Sequence, residues 1–215
     1  MSGPASERLG QKERTPLRYY SQRYADAVPA ELTVRCGLPF ADGAFQVQML
    51  GQALRCPWPE FAVQPVQADC PPALLSAYAR ILLIRYLLVG VAAPLSDNYR
   101  IFRDFPQAAI YDATFQGRCV HRLAATFGSR PEAFAAAAAQ LGGQRLDRGD
   151  VAVELPFLAN VRLRLLLYPS DEEFPATAQF LFSDNAATAF SAEDLAVVGD
   201  IVIGALRDCL RKLPQ

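Results

Sequence analysis

The chain has little of the residue types that most often build catalytic and metal centres. It contains one histidine and five cysteines, and no two cysteines form a Cys-x-x-Cys pair. A zinc ribbon or a ferredoxin-type cluster held within one chain therefore has no support in the sequence. The sequence also lacks a Gly-x-Gly-x-x-Gly run, a Walker-type phosphate loop and a Gly-x-Ser-x-Gly elbow. Their absence disfavours nucleotide binding and serine hydrolysis of the types that depend on them.

An excess of charge of one sign is also absent. The 215 residues include 21 basic and 22 acidic side chains, for a formal net charge of −1. A dedicated nucleic-acid binder would show a basic excess, so we expect no nucleic-acid partner. Hydrophobic residues make up 52% of the chain and charged residues 20%. This composition excludes disorder for most of the chain and supplies enough apolar material for a sizeable core.

One long hydrophobic run needs a membrane test. Residues 73–93 read ALLSAYARILLIRYLLVGVAA, which is long enough to span a bilayer. Arg80 and Arg85 stand near its middle, and each would cost about 2.5–3.5 kcal/mol on insertion scales. We therefore expect no membrane span, and we interpret the run as a mostly buried helix whose arginines reach outward or pair with carboxylates.

The amino-terminal residues and the cysteines bear on the compartment. Residues 1–14 are polar and contain no apolar stretch of the kind that a secretory leader has. The cysteine number is odd, which does not suit a framework of disulfides within one chain. We expect a cytoplasmic protein with reduced cysteines.

Hydrophobic periodicity predicts an α+β fold with small, mostly antiparallel sheets packed with a long central helix and a carboxy-terminal helix. We expect residues 1–16 to form a flexible segment and residues 17–215 to form one domain. The predicted elements are a hairpin of residues 45–49 and 53–56, helices over 73–92, 112–127 and 129–142, strands over 151–155, 161–168 and 178–182, and a last helix capped by Ser191.

The densest acidic cluster of the sequence is Asp171-Glu172-Glu173, between two predicted strands. A loop with several carboxylates can bind a hard cation such as Mg²⁺ or Ca²⁺, and it can also pair with Arg100 or Arg103. The other interpretation is a solvated turn in which one carboxylate accepts hydrogen bonds from backbone amides.

Two further features have both a structural and a functional interpretation. His121, the single histidine, is a helix-boundary residue or else a general base or an axial ligand to a metal cofactor. A group of aromatic residues close together in sequence forms part of the core or else one wall of a pocket for a flat ligand. This group consists of Tyr99, Phe102, Phe105, Tyr111 and Phe115.

The last third of the chain carries the residues of a family resemblance. The segment LYPSDEEFPATAQFLFSDNAATAFSAEDLAVVGDIV contains an acidic D-E-E-F-P run, a strand ending L-F-S-D and a helix opening E-D-L-A. In this combination it resembles the carboxy-terminal signature of the family called domain of unknown function 3786. The serine before Asp184 departs from the family pattern. The similarity covers about residues 17–210 and includes the segments Phe102-Arg103, Ile110-Tyr111-Asp112 and Leu141-Gly142-Gly143.

The resemblance implies a metabolic setting rather than a reaction. The family occurs in bacteria and archaea, many of them anaerobic, and some members are joined to a small iron–sulfur module similar to that of corrinoid iron–sulfur proteins. This chain has no such cysteine-rich module. The association implies anaerobic redox or corrinoid metabolism, a redox or corrinoid protein as partner, and a tetrapyrrole or corrinoid as cofactor.

These observations lead to one expected function and two alternatives. The expected function is that of a cofactor-binding or accessory protein, with a pocket near residues 99–115 that the acidic run flanks. One alternative is a metal-dependent hydrolase or transferase in which the acidic run binds a divalent metal beside Arg103. The other is a structural interaction module, for which a homodimer is the natural form. The expected ligand-binding residues are Arg103, Tyr111, Phe115, Asp171, Glu172 and Glu173.

Overall fold

The computed structural model describes residues 11–213, with side chains from Pro16 onward. Most of the expected flexible segment, residues 1–10, lies outside the described residues. The first helix begins at Gln11, within the expected segment of residues 1–16 rather than at the expected domain start, Leu17.

The helices are α1 (Gln11–Ala25), α2 (Pro29–Cys36), α3 (Ala77–Val89), α4 (Asp112–Phe115), α5 (His121–Phe127), α6 (Pro131–Gln140), α7 (Ala186–Ala189) and α8 (Ala192–Leu210). The strands are β1 (Phe40–Ala41), β2 (Ala44–Met49), β3 (Gln52–Pro57), β4 (Gln64–Pro65), β5 (Tyr99–Ile101), β6 (Gln144–Leu146), β7 (Val151–Leu158), β8 (Val161–Tyr168) and β9 (Thr177–Ser183).

The amino-terminal sheet is built around the expected hairpin of β2 and β3. Its antiparallel strand order is β1-β2-β3-β4. The hairpin turn places Leu50 and Gly51 at φ values of 47° and 69°. A Cβ at Gly51 would lie 2.9 Å from the carbonyl carbon of Leu141, so glycine is needed at this left-handed position. The amide of the buried Leu50 donates to the carbonyl of Phe157 at 3.1 Å, which joins this sheet to the second one.

The carboxy-terminal sheet has the antiparallel order β5-β9-β8-β7-β6. Its three long strands correspond to the three predicted ones, and the short strands β5 and β6 form its edges. Alternate residues of β8, from Val161 to Leu167, are buried, whereas Arg162 and Arg164 lie on the outer face. One hydrophobic cluster extends from this sheet through α3, α5 and α8 to the amino-terminal sheet. The predicted α+β class is therefore confirmed.

Helices α3 and α8 form the centre of the helical layer. Leu82, Ile84 and Leu87 of α3 are buried, as the apolar run predicts. Helix α8 begins with a capping box in which Ser191 and Asp194 exchange hydrogen bonds. None of the described helices combines the length and the hydropathy that a membrane crossing needs.

A π-helical turn interrupts the helix that is predicted over residues 112–127. Helix α4 continues through this turn, Gln116–Val120, into α5. Cys119 in the turn packs on α8, where a Cβ at Gly199 would lie only 2.6 Å from its Sγ. The glycine therefore allows the two helices to approach closely. Turns of this kind are frequent at functional sites, and this one borders a cleft.

Candidate functional site

A cleft of about 620 Å³ opens in the helical layer, between α1, α3, α8 and the segment that runs from Tyr111 into the π-helical turn. Its volume lies within the range of small-molecule sites. We call it the tyrosine cleft, because three tyrosines line its walls together with four charged side chains. The tyrosines are Tyr20, Tyr78 and Tyr111, and the charged residues are Arg85, Arg118, Glu193 and Asp194. Apolar lining comes from Pro16, Ile81, Leu82, Ala196 and Val197.

The most buried charged group of the cleft is Asp194. Its Oδ1 lies 3.0 Å from Arg85 Nη1, and its Oδ2 accepts the hydroxyl hydrogen of Ser191 at 2.7 Å. Arg85 also lies 3.9 Å from Glu193 and 5.8 Å from the centroid of the Tyr20 ring. The carboxylate that caps α8 therefore also holds the Arg85 guanidinium in the cleft.

Arg118 of the π-helical turn and Arg122 of α5 contact one carboxylate of α8. Arg122 Nη2 lies 3.0 Å from Asp200 Oδ1, and Arg118 contacts the other oxygen of the same carboxylate. Side chains four residues apart lie on the same face of a helix, so both guanidinium groups can reach the Asp200 carboxylate. The Arg118 side chain remains 55% exposed at the cleft. Its free N–H groups are available to an acid group of a ligand.

The rim of the cleft is aromatic and unusually exposed. The exposed fraction is 52% for Tyr78 and 40% for Tyr111, and Ile110 beside it is 82% exposed. Large apolar surfaces of this kind concentrate at interaction and ligand sites. The two rings offer faces on which a flat ligand can stack.

The predicted aromatic group is divided between the core and the cleft. Phe115 is 1% exposed and stacks on Phe102 with ring centroids 4.1 Å apart, so it offers no surface to a ligand. Tyr111 lines the cleft. Arg103 lies exposed in a short 3₁₀ turn, Phe102–Asp104, and is not among the cleft residues. The structure therefore brings one of these three predicted site residues to the cleft.

The acidic run lies in the loop between β8 and β9. The loop precedes Thr177, whereas β5 pairs with the opposite end of β9 at Leu181–Ser183. The run is therefore at the other end of β9 from β5, and it does not line the tyrosine cleft.

Asp171 stabilises a turn within this loop. Its Oδ1 accepts the amide hydrogens of Phe174 at 2.7 Å and Glu173 at 2.9 Å, and these hydrogen bonds lower the pKa of the Asp171 carboxyl group. Glu172 and Glu173 are exposed. Over the described part of the chain, no three His, Cys, Asp or Glu side chains are grouped as a metal site requires.

His121 lies at the start of α5 on a separate, shallow groove of about 550 Å³. The groove is otherwise formed by small and apolar residues, which are Val120, Ala124, Ala125 and the four residues of 175–178. No carboxylate is among its lining residues, so nothing in the groove orients the imidazole as a general base.

A second arginine–carboxylate cluster lies on the outer face of the carboxy-terminal sheet. Glu154 accepts hydrogen bonds from Arg164 Nε at 2.8 Å, Arg162 Nη1 at 3.0 Å and the Tyr99 hydroxyl at 2.8 Å. Burial and the hydrogen bond to Glu154 raise the pKa of Tyr99 to about 12. Burial acts to raise the pKa of Glu154, but hydrogen bonds from Arg164 and Tyr99 outweigh it, and that pKa is lowered.

The cysteines do not contribute a reactive site. All five are buried and free. Burial raises the pKa of Cys56 and that of Cys119 to about 12, so the thiolate that would act as a nucleophile is disfavoured.

The fold and the cleft together define an α+β protein of two antiparallel sheets with an open, tyrosine-lined cleft in its helical layer. The chain belongs to the family described as a domain of unknown function, DUF3786, which it matches over residues 28–205 of 215. The expected family is therefore confirmed. No curated protein and no solved structure matches the chain. The matched range contains Tyr78, Arg85, Tyr111 and Arg118, whereas Tyr20 precedes it.

Proposed function

We propose that the protein is a cofactor-binding or accessory protein that holds a flat, acid-bearing ligand in the tyrosine cleft. The observation that carries this proposal is the combination of exposed Tyr78 and Tyr111 rings with Arg85 and Arg118 in one cleft of about 620 Å³. Aromatic rings stack on a flat ring system, and guanidinium groups donate hydrogen bonds to acid or amide oxygens at its edge.

A tetrapyrrole or corrinoid has this chemistry. Tyr78 and Tyr111 would contact the face of the macrocycle, and Arg118 would bind its acid or amide groups. Haem iron also accepts a tyrosine phenol oxygen as a protein ligand, and three tyrosines line the cleft. The family resemblance to proteins joined to corrinoid-type iron–sulfur modules supports the same class of ligand.

We also propose a setting and a partner. The protein acts in the cytoplasm of anaerobic cells and serves a redox or corrinoid protein. The support is the family resemblance together with reduced thiols at all five cysteines. The metal-dependent hydrolase alternative has less support, since Oδ1 of Asp171 already accepts two amide hydrogens of its own loop.

Purification without oxygen tests the proposal directly. We expect the native mass to exceed the chain mass and the protein to absorb visible light. A colourless protein is then titrated with haem and with hydroxocobalamin, while absorbance and the emission of the single tryptophan, Trp58, are recorded. Failure of both probes to bind contradicts the proposal.

Matched tyrosine variants locate the site. We expect Tyr78→Ala and Tyr111→Ala each to raise the dissociation constant of the binding probe about fivefold to tenfold, because each removes a stacking surface. Tyr168→Ala is the control, since Tyr168 has a similar exposure of 37% but lies at the end of β8, outside the cleft. Equal losses in the three variants would show that the probe binds elsewhere.

A further inference from the structure

The loop after β8 holds an aromatic side chain in solvent. Phe174 is 66% exposed, and the turn that presents it is closed by hydrogen bonds from two amides to Asp171 Oδ1 and from the Asp171 amide to the Phe174 carbonyl at 3.1 Å. A preformed turn loses little conformational entropy on binding, and buried aromatic rings are typical anchors of protein interfaces. We call residues 171–174 the Phe174 tip.

Two uncompensated negative charges flank this ring. Glu172 and Glu173 are exposed, and neither is among the carboxylates paired with arginines in the described part of the chain. The complementary surface therefore has an apolar floor with a positively charged rim.

The chain itself carries a surface of this kind. A groove of about 730 Å³ lies between α6 and the carboxy-terminal end of α8, and Arg130 and Arg211 stand on it. We call it the α6–α8 groove. Its apolar floor is formed by Ala133, Ala136, Leu210 and Leu213.

The charge balance of the α6–α8 groove is positive. Its one lining carboxylate, Glu132, is paired with Arg145 at 3.1 Å. Arg211 is bound to Asp208 at 2.7 Å but keeps 67% of its side chain exposed. Arg130 donates to the carbonyl of Thr126 at 3.1 Å rather than to a carboxylate, so its charge is not neutralised.

The tip and the groove lie close together on the surface. Ala176, just after the tip, packs directly on Gly128. Arg130 follows two residues later, and α6 begins at Pro131. Because the two surfaces are neighbours, a two-fold axis beside this junction would bring the tip of each copy to the groove of the other, and the same contact would form twice.

We propose that this protein forms a homodimer through reciprocal insertion of Phe174 into the α6–α8 groove, with Glu172 and Glu173 facing Arg130 and Arg211 of the second copy. The tip, the groove and the tyrosine cleft are lined by different residues. The dimer and the ligand proposal therefore succeed or fail independently.

Sedimentation of the purified protein over a wide concentration range tests the proposal. We expect a dimer, and we expect Phe174→Ala to raise its dissociation constant about tenfold or more. Val34→Ala is the control, because Val34 is 86% exposed on α2, away from both surfaces, and should leave the constant unchanged. A native protein that is monomeric at every concentration overturns the proposal, and so does an equal effect of the two substitutions.

Charge reversal provides a sharper test. The variants Glu172→Arg/Glu173→Arg and Arg130→Glu/Arg211→Glu each oppose like charges across both contacts, so each alone should be monomeric. An equimolar mixture restores opposite charges at both contacts and should form a heterodimer. Glu60→Arg, in an exposed loop, controls for charge reversal outside the two surfaces, and circular dichroism confirms that each variant is folded. A mixture of folded variants that stays monomeric overturns the proposal.

Discussion

Two clusters in the described part of the chain are built from arginine, carboxylate and tyrosine, and they border cavities of different size. The tyrosine cleft has about 620 Å³, whereas the cavity beside Glu154 and Arg162 has about 120 Å³. In the tyrosine cleft, Arg85 lies 3.0 Å from Asp194 and 5.8 Å from the Tyr20 ring centroid. On the outer face of the carboxy-terminal sheet, Arg164 lies 2.8 Å from Glu154 and 3.7 Å from the Tyr99 ring centroid. The distances in the sheet cluster are shorter, and Glu154 accepts hydrogen bonds from Arg162, Arg164 and Tyr99 of the same cluster.

The difference follows from the backbone that carries each cluster. Arg164 and Glu154 are directly opposite on paired strands, where side chains on one face stand about 5 Å apart and satisfy one another. The cleft residues project instead from four separate segments, which are α1, α3, α8 and the segment from Tyr111 into the π-helical turn, and these enclose a cavity between them. The same residue types are therefore structural on the sheet and available to a ligand in the cleft.

The largest expected effect is on stability, at the buried carboxylate of the cleft. Asp194→Ala removes the carboxylate half of the α8 capping box and the partner of Arg85, and we expect it to lower the free energy of unfolding by about 2–3 kcal/mol. Glu193→Ala is the matched control, because Glu193 is 66% exposed and should change stability by less than about 0.5 kcal/mol. Urea unfolding measures both, and equal effects would contradict the role given to Asp194.

A smaller effect is expected at the sheet cluster. Glu154→Gln weakens three hydrogen bonds of a partly buried carboxylate, and we expect a loss of about 1–2 kcal/mol. Because the folded-state pKa of Glu154 is lowered from 4.5, its stabilisation is complete above that pH. It disappears as the pH falls through the folded-state value.

Unfolding midpoints measured from about pH 3 to pH 7 test this dependence. The native protein should have a higher unfolding midpoint than Glu154→Gln near pH 7, and this difference should disappear at the acid end of the range. A constant difference between the two proteins would show that the charge of Glu154 does not provide the stabilisation.

The smallest stability effects are expected at the exposed arginines, and here the two clusters should differ in binding instead. Arg118→Ala and Arg162→Ala remove side chains that are 55% and 43% exposed, and each should cost less than about 1 kcal/mol of stability. Only Arg118→Ala should weaken the binding of haem or hydroxocobalamin, by about tenfold. Titration of both variants checks this, and a similar loss in Arg162→Ala would assign the ligand to the sheet face.

Local signals in the sequence predicted individual elements well. Ser191 accepts the amide hydrogen of Asp194 at 3.2 Å, as the cap at the start of the last helix predicts. The apolar run forms a helix, although Ser76 caps it at Ala77, and the helix ends at Val89. Both features depend on residues that are neighbours in sequence.

Features that depend on distant partners had no such signal. The edge strands Tyr99–Ile101 and Gln144–Leu146 are three residues long, which is too short for a period of two to be recognised. The π-helical turn contacts Gly199 and Asp200, which lie on α8 about 80 residues later. The pairing of Arg85 with a carboxylate was one of two predicted outcomes, and only packing selected Asp194.

The amino-acid sequence by itself determined the α+β class and the main helices and strands, because periodicity, capping and turn residues act over a few positions. The family followed from the resemblance of its motifs. The tertiary structure decided which candidate residues are available. Tyr111 faces a cleft while Phe115, four residues later, is in the core, and Asp171 bonds the amides of its own loop. These outcomes depend on how distant helices and strands pack, and burial and hydrogen bonding between them cannot be read from local sequence.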